Sequence, residues 1–140
     1  MLKFFSSALP AMLLISAILG TKVPDVVLDA FDKKFPEASE VKWDKQDDHV
    51  FIASFILNEL DYQARFTDKG KWQETRIAIE YEKLPEKVQT GFEKNYNPGK
   101  VKSVMKSESS SGKVKYVFEV KKLLKSEEVI FSELGKEQTH

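Results

Sequence analysis

The chain has 140 residues, no cysteine, and 22 basic against 22 acidic side chains. The missing thiols exclude structural disulfides, thiol catalysis and the cysteine of a lipoprotein anchor, and the zero net charge gives no global drive toward nucleic acid or anionic lipid. Within that balance residues 21–82 carry nine Lys and Arg against fourteen Asp and Glu, and residues 83–140 twelve against eight, an asymmetry that reads first as solvated surface.

Residues 1–20 read as a secretory signal peptide. Met1-Leu2-Lys3 is a short positive start, and Phe4 to Leu19 is a mostly apolar run of 16 residues, short of the roughly 20 that cross a bilayer. An uncleaved anchor is the alternative. Gly20 is an acceptable small residue before a cut, although Ile18 is bulky. The expected product is a periplasmic or secreted chain, residues 21–140, with no stable membrane insertion once the signal is removed.

A helix is expected after Val23-Pro24, because Val23, Val27, Phe31 and Phe35 form one apolar stripe, proline suits the first turn and Asp25 favours the positive end of the dipole. Pro36 stops it. Strands follow over Val41 to Asp44, Val50 to Leu57, Asp61 to Phe66 and Trp72 to Ile79, separated by turns at Asp47-Asp48, Asn58-Glu59 and Asp68-Lys69-Gly70. Val50 to Leu57 is apolar on both faces except at Ser54, so it is either covered twice or lines a seam. A second helix opens at Leu84-Pro85 with the stripe Leu84, Val88, Phe92 and Tyr96, and Asn97-Pro98-Gly99 ends it. The last strands are expected over Val101 to Lys106, Lys113 to Lys121, Lys125 to Phe131 and Lys136 to Thr139.

The two series match. Val23, Val27, Phe31 and Phe35 return 61 residues later, and Phe66-Thr67-Asp68-Lys69-Gly70-Lys71 returns 65 residues later as Phe131-Ser132-Glu133-Leu134-Gly135-Lys136. Small residues, Ala30 and Gly91, stand at one equivalent helix position. The chain therefore reads as a duplicated unit, with repeats over 21–82 and 83–140 in one domain, since units of about 60 residues bury too little surface to be stable alone. The fold class expected is α+β, a tandem repeat of a helix and a four-stranded antiparallel meander, with both helices on one face of a shared sheet.

These residues together, Val23-Pro24, Ala30-Phe31, Lys34-Phe35-Pro36, Val41-Lys42-Trp43, Ala64-Arg65-Phe66, Gly70-Lys71-Trp72, Leu84-Pro85 and Tyr96, resemble the PepSY-like, β-lactamase-inhibitor-like domains exported by Bacteroidetes and related bacteria. The resemblance covers essentially all of residues 21–140. It implies helices on one face of an antiparallel sheet and a concave opposite face available to a partner; inhibition itself does not transfer with a fold.

Reactive groupings are sparse. His49 and His140 form no ligand pair. Asp44, Asp47 and Asp48 lack the remaining spacing of a calcium loop, and the sequence has no nucleophile elbow or phosphate loop. No metal, cofactor or catalytic residue is assigned, and an enzyme is not expected. Trp43 and Trp72 read as core. Arg65 differs, because alternation with Ala64 and Phe66 turns it away from the helix-packed side. The reading is a non-enzymatic binding module for an envelope or extracellular protein or peptide, not nucleic acid, with Arg65 central and Gln63, Thr75 and Lys115 beside it; the alternative is sensing of a small ligand or ion in the envelope.

Overall fold

The computed structural model describes residues 21–139; the signal-peptide reading and His140 lie outside them. The fold is α+β, with two α-helices and one eight-stranded antiparallel sheet in the order β1-β2-β3-β4-β5-β6-β7-β8. The elements are α1 (Asp25–Lys34), β1 (Ser39–Asp47), β2 (Val50–Leu57), β3 (Leu60–Thr67), β4 (Trp72–Ala78), α2 (Glu86–Glu93), β5 (Val101–Ser109), β6 (Val114–Lys121), β7 (Ser126–Ser132) and β8 (Glu137–Gln138). By compactness the chain divides into one unit ending at Thr75 and another beginning at Arg76, inside β4. Among the described residues no helix is long and apolar enough to cross a membrane.

In the first unit Pro24 is the residue before α1, and its carbonyl accepts from the Val27 and Leu28 amides at 3.0 and 3.1 Å. Val27 and Phe31 are the buried stripe, packed with Phe51, Ala53 and Phe55 of β2 and Ala64 and Phe66 of β3. Alternation does the rest, leaving Val50, Ile52, Ser54 and Ile56 half-buried on the other side. Val50 to Leu57 is thus fully covered on one side only. Asn58 and Glu59 both adopt positive φ, 53° and 67°, the backbone of a two-residue hairpin turn.

In the second unit Pro85 accepts from the Val88 and Gln89 amides at 3.0 and 3.1 Å. Val88 and Phe92 pack with Val104, Tyr116, Phe118, Val120, Val129 and Phe131. The second helix ends earlier than its sequence stop: it closes at Glu93, and Asn97 instead caps a separate 3-10 turn, Pro98–Lys100, by accepting from the Gly99 amide at 2.8 Å. The last strand is also shorter than expected, two residues pairing with Ile130 and Phe131.

The internal registers correspond. Lys42↔Ser54, Trp43↔Ala53, Asp44↔Ile52 and Lys45↔Phe51 in β1–β2 have counterparts in Ser103↔Glu119, Val104↔Phe118, Met105↔Val117 and Lys106↔Tyr116 in β5–β6. Each pair is displaced by 61 residues in its first member and 65 in its second, the intervals of the sequence itself. Burial of Phe66, Phe92, Phe118, Phe131, Val27 and Val88 is complete, each contributing about 1.5–3 kcal/mol of transfer free energy.

Candidate binding face

In the first unit the side of β2 and β3 away from α1 carries Ile52, Ser54, Gln63 and Arg65, all half-buried. Register places Arg65 opposite Ile52 and Gln63 opposite Ser54. Arg65 is not a free cation. Its Nη1 donates to Gln46 Oε1, and its Nε lies 3.5 Å from Glu74 Oε1. The side chains are 25% and 19% exposed, and the buried Nε makes no hydrogen bond. A pair this shielded is screened less than a surface pair, so Arg65 presents an oriented, partly neutralised guanidinium.

Thr75 is not beside it. Thr75 is 8% exposed, and its hydroxyl accepts from Trp72 Nε1 at 2.8 Å, while Trp72 packs against the α1 core with Lys34 Nζ 4.0 Å above its ring. Residues three apart share a side only if the period-two alternation slips between them. The slip turns Glu74, rather than Thr75, toward Arg65, and Ile79 packs against the α2 core. Unbroken alternation misses Glu74, and a strand expected to stop at Asp44 leaves out Gln46, which lies on β1 as it runs on to Asp47.

In the second unit Lys115 is half-buried between Ser107 and Ser132, on the side away from α2. On that side Val117, the apolar residue that breaks the β6 alternation, is 5% exposed and pairs with Met105 and Ile130. Arg76 Nη1 lies 3.4 Å from Glu128 Oε2. Each unit therefore has a helix-free side with apolar residues at its middle and charged pairs around them. Gln63 and Arg65 lie on the one and Lys115 on the other, and within the first unit Thr75 is not brought to Arg65.

The perturbed titrating groups lie elsewhere and have local causes. His49 Nδ1 is 3.1 Å from Asp68 Oδ2, and that bond, then the Asp68 charge, raises its pKa while its ring stays in solvent. The Tyr96 hydroxyl donates to Glu137 at 2.6 Å; this bond and then burial push its pKa up to about 12. Burial, then a 2.7 Å bond to Glu93, raises Tyr81. Asp47 accepts from the His49 amide at 2.8 Å and Asp48 pairs with Lys45 at 3.1 Å, so both are engaged in the turn. Among the described residues no three His, Asp or Glu side chains gather as a metal site. An open cleft of about 270 Å³ beside α2 is lined by Glu86, Lys87, Thr90, Gly91, Lys94, Leu134 and Gly135.

The family described as "putative beta-lactamase-inhibitor-like, PepSY-like" matches residues 50–138. The chain belongs to this family. Solved structures share the PepSY-like fold: a protein of Bacteroides eggerthii described as a "putative periplasmic" protein, 22% identical over 85% of this chain and 88% of that one, TM-score 0.74; a DUF2874 family protein of Bacteroides ovatus, 23% identical over 86% and 87%, TM-score 0.69; and a BLIP-like protein of Bacteroides fragilis, 23% identical over 85% of each chain, TM-score 0.64. At such identities the likeness is one of fold. Among curated proteins none matches this chain.

Proposed function

We propose that this PepSY-like protein is an exported, non-catalytic binding module made of two copies of one unit, whose helix-free faces receive a protein or peptide. The observation that carries the reading is the composition of those faces: Ile52 beside an oriented Arg65, and Met105 and Ile130 beside Lys115, mix apolar area with arginine and polar rims as protein interfaces do. The matched registers support the duplication, and the described neighbour from Bacteroides eggerthii supports a periplasmic or secreted address. A small-ligand site would instead be concave, mostly apolar and commonly 300–1,000 Å³; the cleft beside α2 is smaller and lined by Glu86, Lys87 and Lys94.

The test is site-specific photo-crosslinking in the producing cell's envelope, with the reactive residue at Gln63 or Lys115 and, as a control, at exposed Asp32 on the outer side of α1. Discrete adducts from the face positions alone are expected. Adducts from Asp32 alone, or equally from all three, would place the partner elsewhere. Once the partner is in hand, Arg65→Ala is expected to weaken binding by about 1–2 kcal/mol and also to lower stability, because it leaves the 19%-exposed Glu74 side chain without its guanidinium.

A further inference from the structure

The turn joining β6 to β7 holds two leucines out in solvent. Lys121 pairs with Ser126, and the Lys122 amide donates to the Lys125 carbonyl at 2.7 Å, so Leu123 and Leu124 occupy the two apex positions of a tight turn. Neither leucine has the positive φ of Asn58 and Glu59, which stand at the same places in the β2–β3 hairpin 65 residues earlier, so the backbone accepts them without strain. Here two leucines stand 95% and 93% exposed. They contribute nothing to the core. Isolated exposed apolar residues are ordinary, but an adjacent pair at a protruding tip is a surface with a use.

The surroundings of the tip name the occupant. Lys100, Lys102, Lys121, Lys122 and Lys125 gather at this end of the sheet, because Val101 pairs with Val120 and Lys102 Nζ reaches Ser126 Oγ at 3.1 Å. Two glutamates answer them: Glu119 pairs with Lys102 at 3.7 Å and Glu127 with Lys122 at 3.1 Å. Among the described residues Lys100, Lys121 and Lys125 make no ion pair. An apolar apex inside a cationic collar matches an anionic bilayer surface, where acyl chains receive the leucines without a shaped pocket and headgroup phosphates receive the lysines. A protein partner would have to offer a socket for a convex point. The corresponding tip of the first unit, Asn58-Glu59 followed by Leu60 and Asp61, carries acid instead.

We propose that the Leu123-Leu124 tip docks the protein, peripherally and reversibly, on anionic phospholipid membranes. The inference does not depend on the partner of the helix-free faces. The chain from Thr21, the form expected once the signal peptide is removed, is tested by co-sedimentation with vesicles of equal phosphatidylglycerol and phosphatidylcholine and with phosphatidylcholine alone. Wild type is expected to bind the anionic vesicles, to bind neutral ones weakly, and to be released by high salt. Leu123→Ser with Leu124→Ser is expected to lower partitioning at least about tenfold, and Lys121→Glu with Lys125→Glu by about tenfold. Both pairs contact nothing in the core, so folding is preserved. The proposal is overturned if wild type stays in the supernatant, if the serine variant binds as wild type does, or if binding ignores lipid charge. Leucine-dependent self-association without lipid, or leucine-dependent capture of a protein from lipid-free extract, would also overturn it, in favour of a second copy or a protein socket.

Discussion

The two units solve one packing problem with different side chains. In the first, the helix residue Phe31 meets Trp43 of β1 edge-on, centroids 5.3 Å apart at 71°, and the residue paired with Trp43 is Ala53. In the second, Phe92 stacks on Phe118 of β6, 4.3 Å apart at 14°, and the residue paired with Phe118 is Val104. The aromatic has moved one strand over. Large-beside-small is kept while the sides are exchanged, as a core of fixed volume demands. The helix contacts differ as well. A Cβ on Gly70 would lie 2.8 Å from the Val26 carbonyl oxygen, whereas one on Gly135 would lie 2.0 Å from that of Lys87, and one on Gly91 only 1.9 Å from the Gly135 oxygen. The second unit brings hairpin and helix backbones closer, which is why it has glycine where the first has Ala30.

The sharpest way to break this comparison is at the displaced aromatic. Phe118→Ala is expected to cost about 3–5 kcal/mol and to be read as a fall in the denaturation midpoint; a loss below 1 kcal/mol would mean that Phe118 is not the keystone of the second core. Gly91→Ala should follow at about 3 kcal/mol, because the opposing atoms are backbone and cannot swing aside, while Ala30→Gly costs about 1 kcal/mol from helix propensity alone. Equal losses from the two would remove the distinction in helix approach. Ala53→Phe should overpack the first core by about 1–3 kcal/mol, and adding Trp43→Val should recover most of it by reproducing the second unit's arrangement. Lack of coupling in that double-mutant cycle would refute the exchange.

A smaller effect is pH-dependent. Tyr96 is held neutral in the folded chain, its pKa raised from 10.0 to about 12, so between those values the unfolded state loses the proton first. The stability it contributes is present below pH 10.0 and lost as pH rises toward about 12. Absorbance titration of phenolate should show one tyrosine fewer ionising late in Tyr96→Phe. At Phe35, the matching position of the first unit, no such group exists.

Much of this was readable in advance where a period runs unbroken. Val50 to Leu57 is the strand expected, residue for residue, and the four-residue stripes of both helices are the buried ones apart from the half-buried ends at Val23 and Tyr96. Periodicity fails where the backbone leaves its period. The slip between Trp72 and Thr75 reverses the side of Thr75, and nothing in Gln73-Glu74 marks it. Alternation with two buried neighbours places Arg65 on its side, but its capture by Gln46 and Glu74 depends on β1 running past Asp44 to Asp47 and on the slip in β4.

The two ends of the sheet order also set how other chains can approach. Strand β1 is interrupted by register shifts at Ser39/Lys42 and Lys45/Asp47 and bears Lys42, Asp44, Lys45 and Asp47 along its exposed length, and β8 offers only Glu137 and Gln138. A foreign strand would find no straight, uncharged template at either margin. Growth of the sheet by recruitment of another chain is thereby disfavoured without any covalent staple.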